Sequence, residues 1–292
     1  FVIVLSTIYQ QYTMAIITLT TDFGEKDHFA GAVKGAIYSE LEGVKIVDIS
    51  HCVSPFHIME AAYIIQNAYS SFPPGTIHII GIDSELNPEN KHIAVLLDGH
   101  YFVCANNGII SMLANEINPQ KIVEINIHDR IITNFPVLDV FVKVACHIAR
   151  GGTLEVIGKQ IDTIKELRGI RPTINQEATQ IMGSVIYIDN YGNVITNITK
   201  SKFEEIAKGR SFKITARTAN FDTIHSHYSD AINFDTPAQK RDEDGKKIAL
   251  WNSSNYLELS IYKSNPATVG SAKSLFGLQY RDTVTINFNA TS

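Results

Sequence analysis

The stretch that most narrows the fold runs from Ile16 to Gly35, IITLTTDFGEKDHFAGAVKG. An apolar run of strand length ends there in an acid, a glycine and a second acid, and then passes into a helical pattern. A strand that hands over to a helix in so few residues predicts an open α/β sheet, whose ligands collect in the crevice at the carboxyl ends of the strands. Asp22 then stands where a carboxylate can reach a ligand, and Gly24 lets the backbone turn sharply. Asp27 falls near the start of the next helix, where its charge suits the helix dipole or meets a cationic ligand group. Turn and helix capping are the alternative uses of both acids. Protein kinases also carry a D-F-G tripeptide, but no Gly-rich loop, strand lysine or H-R-D loop precedes this one. A dinucleotide-binding turn needs several glycines, and TDFGEKDHF has one. Recognition of a ribose or an amine by carboxylates therefore fits the turn better than phosphate cradling.

The alternation continues along the first half. Val44 to Ser50 reads as a strand, His57 to Phe72 as a helix stopped by Pro73-Pro74-Gly75, and Thr76 to Asp83 as a third strand that again ends in an acid. His92 to Ile110 gives two strands around Asp98-Gly99, followed by Asn106-Asn107-Gly108. Val137 to Gly151 is an amphipathic helix ended by Gly151-Gly152. Around Leu167 to Glu177 the composition turns to Gly, Pro, Thr and Asn, and beyond it the pattern changes to short strands with little helix. The expected architecture is an α/β domain over 14–168, with a Rossmann-like sheet and helices, a linker at 169–178, and a smaller all-β barrel domain over 179–292. The polar stretch Asn220 to Lys247 reads as a long solvated loop.

At 292 residues the chain exceeds the usual single-core size, in keeping with two domains. A net charge of −5 without any basic cluster excludes nucleic acid as the main partner, because phosphate neutralisation needs a Lys/Arg stripe. Cys52, Cys104 and Cys146 are too few and too scattered for a disulfide scaffold or a zinc site, so a reducing cytoplasm is the expected setting. Residues 1–13, FVIVLSTIYQQYT, carry neither a basic leader nor a small-residue cleavage site, and are expected to form an extension outside the fold. No later run approaches the roughly 20 apolar residues that span a bilayer, so no membrane partner is expected.

Several separated segments together resemble one family, the S-adenosylmethionine hydroxide adenosyltransferases, which are related to the fluorinase and chlorinase enzymes. They are TDFGEKDHFAGAVKG, IVDISHCVSPFHIMEAAY, IIGIDSELNPENKHIAVLLDGHYFVCANNGIIS, DVFVKVACHIARG, YIDNYGNVITNI and WNSSNYLEL, in order and over nearly the whole chain from Ile16. The resemblance implies a homotrimer whose sites lie between one subunit's first domain and its neighbour's second. S-adenosylmethionine is then the substrate, and neither a cofactor nor a metal is implied. Asp22 looks like the carboxylate that binds the ribose diol, Asp27 like the partner of the substrate's α-ammonium, and Phe56 like an aromatic wall of the pocket, with a core Phe as its alternative. Asn107 joins the substrate-binding set. Tyr191 matches an aromatic that stacks on adenine, Asn193 an amide that reads its edge, and Ser253 and Ser254 the polar loop that holds the methionine end. Good turn chemistry in Asp189-Asn190-Tyr191-Gly192-Asn193 is the alternative reading of the first two.

S-adenosylmethionine is a sulfonium, so attack at the ribose C5′ carbon expels neutral methionine without an acid to protonate it. The difficulty is the nucleophile: water must be held in line and its proton taken up. The family uses an Asp, an Arg and a His around that water, and Asp83 matches the Asp. Alignment puts Asn90 at the Arg position, with Lys91 beside it, and Pro136 at the His position, where proline offers no side-chain polar group. The expected catalytic set is therefore Asp83, Lys91 and Asn90, with Lys91, His92 or His128 as the source of the missing donor. Hydrolysis to adenosine and L-methionine is the leading expectation, because an acid at Asp83 has an obvious catalytic use. The alternatives are a non-catalytic nucleoside-binding protein and, ranked below both, a halogenase, whose halide a carboxylate at Asp83 would repel.

Overall fold

The computed structural model describes residues 14–114, 117–127, 133–241, 243 and 245–289. The expected extension at 1–13 and the candidate donor His128 lie outside the described residues. The chain divides into two compact units, with the division in sequence between Arg168 and Gly169.

The first unit is built on strands β1 (Ile16–Thr21), β2 (Lys45–Ser50), β3 (Ile77–Gly81), β4 (His92–Leu97), β5 (His100–Ala105), β6 (Lys121–Ile125) and β7 (Gly158–Gln160), in the order β2-β1-β3-β5-β4-β6-β7. β2, β1, β3 and β5 run parallel, whereas β4 lies antiparallel to both β5 and β6. Helices α1 (Phe29–Glu40) and α4 (Val142–Ala149) cover one face, where Val33 and Ile37 meet Ile17, Leu19, Ile77 and Ile79. On the other face α2 (Ile58–Gln66) and α3 (Ile109–Ala114) pack Ala62, Ile65, Ile110 and Leu113 on Ile80, Ile82 and Phe102. With both faces covered, every residue of β3 is buried, which is why this strand reads as an apolar run rather than as an alternation.

Asp98 and Gly99 both take positive φ (52° and 75°), the conformation of a two-residue type I′ turn, and join β4 to β5 as expected. The helix expected over His57–Phe72 ends sooner: Asn67 folds its amide back onto the Tyr63 carbonyl, and a separate 3-10 turn follows at Tyr69–Ser71. The helix expected from Val137 opens as a π-helical turn over Val137–Phe141, led by Pro136, before α4 continues it.

The second unit holds β8 (Thr173–Ile174), β9 (Gln180–Ile188), β10 (Val194–Thr199), β11 (Phe212–Ala216), β12 (Ala219–Phe221), β13 (Lys247–Trp251), β14 (Tyr256–Ile261) and β15 (Thr283–Phe288). Its sheet order is β12-β11-β15-β9-β10-β14-β13, all antiparallel, with β8 on β9. A bridge between His225 and Leu250 brings the chain beyond β12 against β13, so the sheet is nearly closed and barrel-like around a core that includes Val185, Ile214, Leu257 and Ile286. Within the stretch expected as a linker, Thr173 and Ile174 already pair with β9, and Asn175 accepts the amides of Thr179 and Gln180. The polar stretch from Asn220 carries more structure than a solvated loop. Asp230 accepts the amides of Ser226 and His227 at the start of a 3-10 turn over Tyr228–Ala231, and the Tyr228 hydroxyl donates to Glu258.

One buried polar chain crosses the sheet of the first unit. Thr18 Oγ1 lies 2.7 Å from His78 Nδ1, and His78 Nε2 lies 3.1 Å from His100 Nδ1. Tyr69 packs edge-on against both imidazoles and donates to Asp98, while Phe102 stacks on His78. Burial, with His100 alongside, pushes His78 down to about 3. His100 is also lowered by burial, against an opposing pull from Asp98. Because the unfolded chain takes up the His78 proton first, this stability is fully present above about pH 6.5 and is lost as pH falls towards 3. The expected outcome in urea titrations at successive pH values is a stability slope of up to about 1.4 kcal/mol per pH unit across that window. His78→Gln, which keeps an amide between Thr18 and His100, should flatten the slope; an unchanged acid limb would assign it to other groups.

Candidate active site

Sheet order fixes where a ligand can enter. From β1 the chain goes to β2 on one side and then returns to β3 on the other, so the connections part above the carboxyl ends of β1 and β3. Asp22 is the first residue beyond β1 and Asp83 the second beyond β3. Both line one cleft of about 760 Å³, a volume within the roughly 300–1,000 Å³ of small-molecule sites.

Asp22 is held by backbone donors. The Phe56 amide donates to Oδ2 at 2.8 Å, across 34 residues of sequence. Burial raises the carboxyl above its ordinary value, the amides of Phe56 and of Asp22 itself oppose this, and Asp83 raises it further. Phe56 has φ +60° and stands 72% exposed at the cleft, which excludes the core role and leaves a ring presented to the cavity at a conformational cost. Below the turn, Thr21 Oγ1 lies 2.7 Å from Nδ1 of the buried His51, whose Nε2 is 3.0 Å from Asp48. Burial raises the Asp48 carboxyl, but bonds from Lys34 and His51 outweigh it and the net shift is downward. Gly24, at φ +69°, passes its amide to the His51 carbonyl and completes the turn. Asp27 is exposed in the bend before α1 and does not line the cleft, and no side chain caps α1.

Asp83 also has positive φ (45°), in the left-handed region that aspartate tolerates better than most residues. Of the donors expected around it, His92 lines the cleft, fully buried, with Nε2 2.9 Å from the Ser84 carbonyl and its ring edge-on to Phe141 at 4.8 Å. Lys91 is exposed and is not among the lining residues. Asn90, 6% exposed, gives its amide to the carbonyls of Asp83 (2.7 Å) and Glu85 (3.0 Å). Asn107 is buried too; it donates to the Ile82 carbonyl at 3.0 Å and accepts the Ile109 amide. Pro136 lines the cleft at the mouth of the π-helical turn, where its ring and φ of −57° suit a helix start.

Other lining residues were not anticipated. Phe23, Phe29 and Phe135 form a mutual cluster with centroids 5.4 to 5.7 Å apart, and together make an aromatic wall. Glu85 adds a third carboxylate, and no lysine or arginine is among the lining residues described. The sequence signals were adjacency to Asp22 for Phe23 and to Pro136 for Phe135; the spacing of Phe29 and Glu85 carries none.

In the second unit Asp189 organises the turn after β9. Its carboxylate accepts the amides of Tyr191 and Asn193 and the side-chain amide of Asn193. That leaves the Tyr191 ring 64% exposed, while Asn193 is buried. Ser253 and Ser254 occupy the turn between β13 and β14, where Asn252 accepts the amides of Ser254 and Tyr256. Glu258, 4% exposed, joins these loops: burial raises its carboxyl, hydroxyls of Ser260 and Tyr228 and the Asn252 amide oppose this, and Asp189 raises it. Among the described residues no group of three or more His, Cys, Asp or Glu is placed to hold a metal ion, and no helix is long and apolar enough to cross a membrane.

Comparison with known proteins gives the same two halves. The family profile described as the SAM hydroxide adenosyltransferase N-terminal domain matches residues 17–158, and that of the C-terminal domain matches residues 183–285. A protein named (R)-S-adenosyl-L-methionine hydrolase from Methanocaldococcus jannaschii is 29% identical over 284 residues, covering 93% of this chain and 95% of that one. One of the same name from Salinispora arenicola is 24% identical over 70% of this chain and 78% of its own. A fluorinase from Actinopolyspora mzabensis is 23% identical over 85% of this chain and 91% of its own. Among solved structures, a conserved protein from Thermotoga maritima shares the fold, with a TM-score of 0.78 at 24% identity, over 93% of this chain and 99% of that one. Matched in order by both domain profiles over most of its length, the chain belongs to the SAM hydroxide adenosyltransferase family.

Proposed function

We propose that the protein hydrolyses S-adenosyl-L-methionine to adenosine and L-methionine, by attack of water at the ribose C5′ carbon. The observation that carries this is the shared cleft of Asp22 and Asp83 at the switch point of the sheet. Asp22, fixed by the Phe56 amide, accepts from the two ribose hydroxyls; Asp83 holds the water and takes its proton; methionine leaves neutral. The aromatic wall of Phe23, Phe29 and Phe135 suits the sulfonium end, since ring faces attract cations. Support also comes from the relatives named as hydrolases of this substrate.

Among the described residues, Asp22, Asp83 and Glu85 give the cleft a negative field without a lining lysine or arginine. A halide would be repelled there, which counts against fluorinase-like chemistry despite the related sequence. Asn90, with its amide given to two carbonyls, supplies no cation to the water, and Pro136 supplies no base. Of the three positions matched to the water site, Asp83 keeps a group that takes up a proton. In the second unit, the exposed Tyr191 ring suits adenine stacking by a subunit that faces a neighbour's cleft. A homotrimer with composite sites, as the resemblance implies, is part of this proposal, and the free thiols of Cys52, Cys104 and Cys146 suit a cytoplasmic setting. No cofactor enters this chemistry.

Incubation with S-adenosylmethionine, with and without chloride, followed by chromatography should yield adenosine and methionine in both cases. A halogenated nucleoside would support the halogenase, and saturable binding without product would support a binding protein. Asp83→Asn should abolish adenosine release while nucleoside affinity stays nearly unchanged; equal turnover in variant and parent would remove Asp83 from the chemistry. Loss of the charged acceptor in Asp22→Asn should weaken adenosine binding by roughly 10- to 100-fold. Calorimetry of the parent should show affinity falling on acidification, starting above the ordinary carboxylate value because Asp22 is raised, and the variant should lack that limb.

A further inference from the structure

Four consecutive carbonyls leave β3 in a row, and each is met by a side chain from elsewhere in the same unit. Asn107, just beyond β5, donates to Ile82 O at 3.0 Å. The two protons of the Asn90 amide go to Asp83 O at 2.7 Å and Glu85 O at 3.0 Å. Between them, His92 Nε2 lies 2.9 Å from Ser84 O. A carbonyl only accepts, so the amide nitrogens of Asn90 and Asn107 and the Nε2–H of His92 are the donors. All three side chains are buried. Exposed loops ordinarily leave such carbonyls to water.

We propose that Asn90, His92 and Asn107 form a clamp on the 82–85 backbone that aims the Asp83 carboxylate, and that they are positioning residues rather than proton donors to the reaction. The sheet makes the clamp possible: β4 is antiparallel to its neighbour, so His92, at its beginning, pairs with Ala105 at the end of β5 and stands at the carboxyl edge. Asp83 needs such restraint, because its φ of +45° lies outside the broad minima of a non-glycine residue. The clamp is also maintained against a local penalty, since Asn90 Oδ1 is buried without a hydrogen-bond partner among the described residues. The amide cannot be flipped to relieve it, because its oxygen would then face two carbonyls. The Asn90 side chain thus holds the loop that carries the acid.

The inference rests on Asp83 acting on water, and its test separates the two claims. His92→Phe keeps a ring against Phe141 but removes the donor, His92→Gln restores a donor at similar reach, and Asn90→Asp turns a near-isosteric acceptor towards two carbonyls. A misplacement of the acid by about 1 Å is worth about 100-fold in rate, so kcat should fall by about that factor in His92→Phe and Asn90→Asp, with KM within about threefold. His92→Gln should recover most of the loss. Hydrogen exchange at the amides of Asn87, Glu89 and Asn90, which donate within this loop, should quicken in His92→Phe and Asn90→Asp and return towards the parent in His92→Gln. Failure of His92→Gln alongside His92→Phe would make the imidazole chemical and overturn the clamp, as would parental kcat and exchange in His92→Phe. Should His92→Phe not fold, Asn90→Asp carries the same comparison. A parent that releases no adenosine would refute hydrolysis alone, and the exchange pattern would still decide the clamp.

Discussion

Two carboxylates share one half-buried cleft, and the rest of the site follows from the repulsion between them. Asp22 bears it directly: burial and Asp83 push its carboxyl up, and only the amides of Phe56 and of its own residue pull against them. Both backbones are held in place against that repulsion. The Asp22 turn stands on the Thr21–His51–Asp48 chain, and the Asp83 exit on buried side chains reaching in from β4 and the end of β5. The unfavourable field is then available to a ligand of opposite sign, and a sulfonium linked to a ribose offers both the charge and the hydroxyls.

The acids themselves were legible in the sequence because strand periodicity is strong and each strand ends visibly in Asp. Their meeting was legible too, because alternating strands and helices imply a switch point. What lay out of reach were contacts decided by loop geometry. Nothing in the spelling of Asn90 or His92 says which carbonyl it faces, so Asn90 read as a displaced arginine and not as a brace for Asp83 and Glu85. Asp27 read as a ligand group or a helix cap from its place before a helix, and it stands exposed in the bend before α1. In the second half the change to short strands identified the barrel-like sheet, while the grip of Tyr228 on Glu258 was hidden within a polar stretch.

Pro136 has a local physical role in shaping the cleft. At the head of the π-helical turn its fixed φ starts the helix that carries Val137, Val140 and Phe141 into the core. Asp139, from the same turn, accepts the Thr133 hydroxyl, and Thr133 in turn accepts the Phe135 amide, which seats Phe135 in the aromatic wall. The segment gives the cleft a firm backbone and an apolar lining.

The antiparallel course of β4 has a consequence for the order in which the chain assembles. A hairpin closed by Asp98-Gly99 joins neighbours in sequence, whereas pairing β1 with β3 waits on the closure of a loop of more than fifty residues. Short-range closure is entropically cheaper and faster. The ribbon carrying His92 thus costs less chain entropy to close than the β1–β3 pair it borders, so the least conventional strand of the sheet gives the crevice its shortest-range support.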